Sequence, residues 1–125
     1  MMFTIRSGSM TAVIDSVGAQ LMSLQSVDGT QYLWQGDPKY WPDRSLTIFP
    51  YVARLTDGCY RYRGELYHMP IHGFAPTAEF SVAEQTDAAI TFVLESCPAF
   101  YEQYPFLFRY SIRYRLENAT LHVEI

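Results

Sequence analysis

The chain has 125 residues, 49% of them hydrophobic and 18% charged, with a net charge of −4. That is one domain's length, with a core able to bury roughly 65% of the unfolded surface, and a composition that excludes intrinsic disorder. A nucleic-acid partner is disfavoured too, because binding a polyanion draws on a basic excess that this chain lacks.

Cys59 and Cys97 lie far apart and form no CxxC pair, so neither a redox motif nor a thiolate zinc site is expected, although one long-range disulfide is arithmetically open. Residues 1–6 lack a basic region followed by an apolar run, and no stretch approaches the roughly 18 apolar residues of a membrane span. The expectation is a soluble, cytoplasmic protein with reduced thiols and no membrane partner.

Residues 3–6 and 11–15 are short β-prone runs around the turn Ser7-Gly8-Ser9, which predicts a hairpin. Residues 18–27 partly alternate, and Asp28-Gly29 then predicts a tight turn into a strand over 31–34, since Asp-Gly tolerates positive φ. Residues 36–44 read as a loop broken by Pro38 and Pro42, with Tyr40 and Trp41 free to cap a site. A short apolar strand is expected over 46–49. It leads into the stretch Pro50-Tyr51-Val52-Ala53-Arg54-Leu55.

A second hairpin is predicted from 60–63, Gly64 and 65–69, and a third from 79–83 and 89–94 around Gln85-Thr86-Asp87. The most helical piece is 98–103, and it is short. Residues 106–116 alternate at period two, with Phe106, Phe108, Tyr110, Ile112, Tyr114 and Leu116 on one side and Arg109, Arg113 and Arg115 on the other. Asn118-Ala119 turns the chain into a last strand over 120–125, which leaves an open sheet edge. Many short strands with almost no helical periodicity predict an all-β, antiparallel β-sandwich. The strand-like end at Ile125 suggests truncation, or an edge covered by another copy in a homodimer.

Arg54 and His72 stand out as chemistry. Each lies near turn residues and aromatics, and together they offer groups for a neutral, hydroxyl-rich ligand: a guanidinium fork and an imidazole that both donates and accepts. His68 and His72 are four apart, but Pro70 between them and the extended context argue against a metal site. Trp34, Tyr40 and Trp41 are candidates either for stacking on a pyranose or for ordinary packing. The three arginines of 109–115 read as a solvated sheet face. No Gly-rich phosphate loop or Ser/His/Asp arrangement is present.

In this order, Gly18-Ala19-Gln20-Leu21, Tyr32-Leu33-Trp34-Gln35-Gly36-Asp37, Phe49-Pro50, Ala53-Arg54-Leu55, Gly58-Cys59-Tyr60, Met69-Pro70-Ile71-His72-Gly73-Phe74 and Tyr104-Pro105-Phe106 resemble the amino-terminal half of the aldose 1-epimerase (mutarotase) family. The resemblance implies a galactose-mutarotase-like supersandwich. Residues 1–125 would be a single β-sandwich domain or the amino-terminal half of a longer one. It implies interconversion of the α and β anomers of an aldohexose or hexose phosphate, without cofactor or metal. A base takes the C1 hydroxyl proton, an acid protonates the ring oxygen, and the opened aldehyde recloses as the other anomer. Arg54 and His72 match the family's substrate-binding arginine and first active-site histidine, which makes His72 the catalytic candidate; Trp34 and Trp41 stand beside them as candidate aromatic substrate contacts, with ordinary packing the alternative. The family's second histidine and its glutamate base have no counterpart here, since His122 and Glu124 do not match those motifs. Many relatives carry an arginine soon after His-Gly-Phe, where this chain has Ala75-Pro76. The expected activity is therefore incomplete in this chain, and the competing reading is a non-catalytic carbohydrate-binding or self-associating module.

Overall fold

Alternation at period two and glycine- or asparagine-bearing turns divide the chain into nine strands in a computed structural model that describes residues 1–125. β1 (Met2–Ser7), β2 (Met10–Asp15) and β3 (Gln20–Ser26) form one antiparallel sheet in that order. β4 (Cys59–Tyr62) and β5 (Glu65–His68) form a hairpin. β6 (Ser81–Gln85), β7 (Ala89–Glu95), β8 (Arg109–Glu117) and β9 (Thr120–Glu124) make a four-stranded antiparallel sheet in chain order. A single α-helical turn, α1 (Pro98–Tyr101), and two 3₁₀ turns, Thr56–Gly58 and Ala75–Thr77, complete the elements.

The sandwich follows from which face each strand buries. Met10, Ala12 and Ile14 of β2 and Ile5 of β1 pack against Phe92 and Leu94 of β7 and Ile112, Tyr114 and Leu116 of β8 in one core cluster. Ile5, Ala12, Ile14 and Phe92 are wholly excluded from solvent. Phe3 meets Phe92 edge-on at 5.6 Å between centroids, so aromatic packing joins the sheets as well. Between them Tyr114 donates from its hydroxyl to the carbonyl of Ala19 at 2.8 Å, which satisfies a polar group inside the core.

The β4–β5 hairpin turns on Arg63 (φ 50°) and Gly64 (φ 86°), two successive left-handed residues whose twist matches the flanking strands. Tyr60 and Tyr67, directly opposite in its register, stack at 5.4 Å. On the outer face of the large sheet Arg109 pairs with Glu95 and Arg115 with Glu117. Arg115 holds the exposed Glu117 carboxyl below its ordinary range. This is the solvated charged face that the alternation predicts.

Two expected strands do not form. Asp28-Gly29 does turn the chain, but residues 31–34 pair only through the single bridge Gln25–Gln31. The Gln31 side chain accounts for this: its Oε1 accepts from the amides of Leu24 (2.9 Å) and Leu33 (3.1 Å), taking the place of further ladder bonds. Residues 46–49 likewise run as an irregular segment. It is fastened at its ends by the bridges Leu21–Ser45 and Phe49–Gly73, with the Ser45 hydroxyl donating to the Leu21 carbonyl at 3.0 Å. Cys59 and Cys97 are both free thiols. No helix is long and apolar enough to cross a membrane.

Two measurements test this core. Phe92→Ala should cost about 3–5 kcal/mol by urea denaturation, since the ring has no solvent to collapse toward. Burial pushes the Tyr114 hydroxyl up to about 12 from 10.0. The native state thus holds this proton more tightly than the unfolded chain, so the stabilisation is full below pH 10 and is lost as pH rises from about 10 to 12. The loss should reach about 2 kcal/mol by pH 12. Tyr114→Phe should flatten it while costing about 1 kcal/mol at neutral pH.

Candidate functional site

Phe49 organises the region that carries Arg54 and His72. Its ring lies 4.7 Å from Tyr110, 5.0 Å from Phe108, 5.9 Å from Phe74 and 6.0 Å from Tyr104, so this side chain is fixed by an aromatic wall that β8 and the chain just before it share with the histidine turn. Its main chain then grips the turn that bears the histidine. The Phe49 amide donates to the His72 carbonyl (3.2 Å), and the Phe49 carbonyl accepts from the Ala75 amide (3.1 Å).

That grip demands glycine at position 73. Gly73 has φ 78°, and a Cβ there would fall 2.1 Å from the Phe49 carbonyl oxygen. No side chain fits so close an approach. The motif His72-Gly73-Phe74 thus divides its work: Phe74 is buried, Gly73 admits the neighbouring backbone, and His72 remains half-buried at the surface of the turn.

His72 is held a second time, from the other side. Its amide donates to the Ala53 carbonyl (2.9 Å), and the Ala53 amide donates to His72 Nδ1 (3.0 Å). Because Nδ1 accepts, the neutral imidazole carries its proton on Nε2. No hydrogen bond within the chain engages Nε2. Ala53 (φ 67°) and His72 (φ 63°) are both left-handed, a conformation uncommon outside glycine that gathers at binding and catalytic positions.

Arg54 follows Ala53 directly, so the Ala53–His72 contact sets the Arg54 backbone one residue from the histidine's partner. Arg54 is exposed and takes part in none of the chain's ion pairs. On the flank of the same segment Pro50, Tyr51, Leu55, Tyr60, Met69 and Tyr104 line a small apolar cleft of about 200 Å³. The Tyr60 hydroxyl donates to the Gln103 carbonyl at 2.7 Å, which ties the cleft wall to the segment after α1. Partial burial pushes that hydroxyl above its ordinary range.

Trp34 and Trp41 belong together but stand apart from this pair. The Trp34 indole donates to the Trp41 carbonyl at 2.8 Å and meets Tyr40 edge-on at 6.4 Å, and both indoles are about half exposed. No hydrogen bond or ring contact joins them to Arg54 or His72. His68 ends β5 opposite Cys59, on the far side of Pro70 from His72. No group of three or more His, Cys, Asp or Glu side chains converges anywhere in the structure. The residue that sequence reasoning missed is Ala53, whose contribution is a backbone amide and therefore leaves no side-chain signal; Gly73 was legible as a turn glycine, but its contact with Phe49 was not.

Known proteins resemble this chain in sequence and in fold. The chain is 27% identical over 131 residues to Protein LacX (plasmid) of Lactococcus lactis subsp. lactis, covering 99% of this chain and 43% of that protein. It therefore spans less than half the length of the curated relatives it matches. Among solved structures it superposes on a galactose mutarotase related enzyme from Lactobacillus acidophilus with TM-score 0.93 and 35% identity, covering 97% of this chain and 41% of that one. A galactose mutarotase-like protein from Lactobacillus casei ATCC 334 gives TM-score 0.93 and 31% identity, covering 98% of this chain and 42% of that one. The all-β sandwich is accordingly of the galactose-mutarotase-like kind, and with a family model that matches residues 1–125 throughout, the chain belongs to the aldose 1-epimerase family.

Proposed function

We propose that residues 1–125 are the amino-terminal, substrate-orienting part of a longer mutarotase-like domain that interconverts the α and β anomers of an aldohexose or hexose phosphate. The coverage of relatives supports the first half of this reading. The observation that carries the second is His72, whose Nδ1 is occupied by the Ala53 amide so that Nε2–H is left to donate, one residue away from the unpaired Arg54.

In this reading Nε2–H of His72 donates to an oxygen of the sugar, and the Arg54 guanidinium donates to two neighbouring hydroxyls or to a phosphate without changing its own protonation. Both contacts fix the pyranose relative to the groups that move protons. The base that takes the C1 hydroxyl proton and the acid that protonates the ring oxygen come from outside residues 1–125. Each such group contributes on the order of 10²–10⁴-fold, so this chain alone holds sugar without accelerating mutarotation.

Two-dimensional exchange NMR of glucose and galactose in the presence of the 125-residue chain tests both parts. Line broadening without faster anomer exchange is expected, and Arg54→Ala or His72→Ala should each weaken the broadening about tenfold, the worth of one hydrogen bond to a charged or well-placed donor. Exchange above the buffer rate that vanishes in His72→Ala would place an acid and base within this chain and overturn their assignment elsewhere. Wild-type spectra without broadening would remove the sugar site. As a control, Arg54→Ala should change unfolding free energy by less than about 0.5 kcal/mol, because the exposed side chain makes no hydrogen bond or ion pair within the chain.

A further inference from the structure

The histidine turn is constrained beyond what binding a hydroxyl requires. Between residues 53 and 72 the imidazole stands where a carbonyl would stand in a ladder pair: the His72 amide donates to the Ala53 carbonyl (2.9 Å), and the Ala53 amide answers to the ring nitrogen Nδ1 (3.0 Å). From the opposite side the turn is pressed against Phe49 so closely that a Cβ at position 73 would lie 2.1 Å from the Phe49 oxygen, 2.5 Å from its carbonyl carbon and 2.6 Å from Pro50 Cδ. Phe49 cannot yield, because its ring is packed among Phe74, Tyr104, Phe108 and Tyr110 and its carbonyl is bound by the Ala75 amide.

We propose that Gly73 and the backbone amide of Ala53 are positioning elements for His72: Gly73 seats the turn, and the Ala53 amide holds the ring in the Nε2–H tautomer. The ring then presents one polar atom, a donor. Whatever oxygen lies against Nε2 must be an acceptor, so a sugar hydroxyl or ring oxygen fits there and a cationic group does not. The consequence for sugar rests on the function proposed above, whereas the tautomer lock is a property of the protein alone.

The test is a long-range ¹H–¹⁵N spectrum of histidine-labelled chain at pH 8, which reports for each ring nitrogen whether it carries the proton. Without sugar, His72 should show a single species protonated on Nε2. Gly73→Ala should give a tautomer mixture and weaken sugar broadening about tenfold, whereas Arg54→Ala should weaken broadening and leave the ring spectrum unchanged. A separate sample replaces the Ala53 amide by an ester, joined by ligation at the Gly58–Cys59 junction. It removes one N–H without adding an atom, so it decides the matter if Gly73→Ala does not fold; the lock should be lost. A wild-type ring protonated on Nδ1, or a lock that survives the ester, would overturn the proposal. Failure of sugar broadening with the lock intact would instead count against the proposed function.

Discussion

The approach of Gly73 to the carbonyl of Phe49 is the contact on which the rest of this region depends. Two backbones come together there with no room for a side chain, and the reason they can do so lies on either side of the contact. The Phe49 ring is anchored in the aromatic wall of Phe74, Tyr104, Phe108 and Tyr110, while the His72-Gly73-Phe74 turn sends Phe74 into that same wall. Hydrophobic packing therefore sets a main-chain distance, and that distance sets where an imidazole points. The order of causes runs from burial to backbone to chemistry.

The sandwich contributes a rigid floor for this arrangement. β7 and β8 bury one apolar row against β1 and β2, and the aromatic residues just before β8 carry the same surface out to Phe49. The site itself is made of irregular chain: the segment after Phe49, a 3₁₀ turn at Thr56–Gly58, and the left-handed pair Ala53 and His72. Strands give the regular spacing that positions a ring, and loops give the backbone conformations that strands do not allow. Membership of the aldose 1-epimerase family is consistent with this division of labour.

Much of the scaffold was legible in the sequence because its signals are local. Alternation from Phe106 to Leu116 announced β8, which forms from Arg109 onward, and Arg63-Gly64 and Asn118-Ala119 announced the turns that lead into β5 and β9. The two missed strands failed for one physical reason. Residues 31–34 and 46–49 have β-prone composition, yet each is joined to its neighbours by single bridges, with the Gln31 side chain taking the Leu24 and Leu33 amides and the Ser45 hydroxyl taking the Leu21 carbonyl, and composition does not say which partner a backbone group will take. In the candidate site, Arg54 and His72 stand out by side-chain chemistry and by resemblance. Ala53 does not, because what it supplies is an amide that every residue but proline possesses.

Tyr114 gives the two sheets a fixed alignment that hydrophobic packing by itself would leave loose. Apolar faces tolerate sliding, since one methyl group is much like the next, but the Tyr114 hydroxyl reaches a single carbonyl, that of Ala19, across the core. A slip of one residue, about 3.3 Å along a strand, would break that bond inside the core. The tyrosine works as a locating pin between two layers. It sits in the strand that continues the aromatic wall behind Phe49, so the mechanical reference for the histidine turn extends through the core to the opposite sheet.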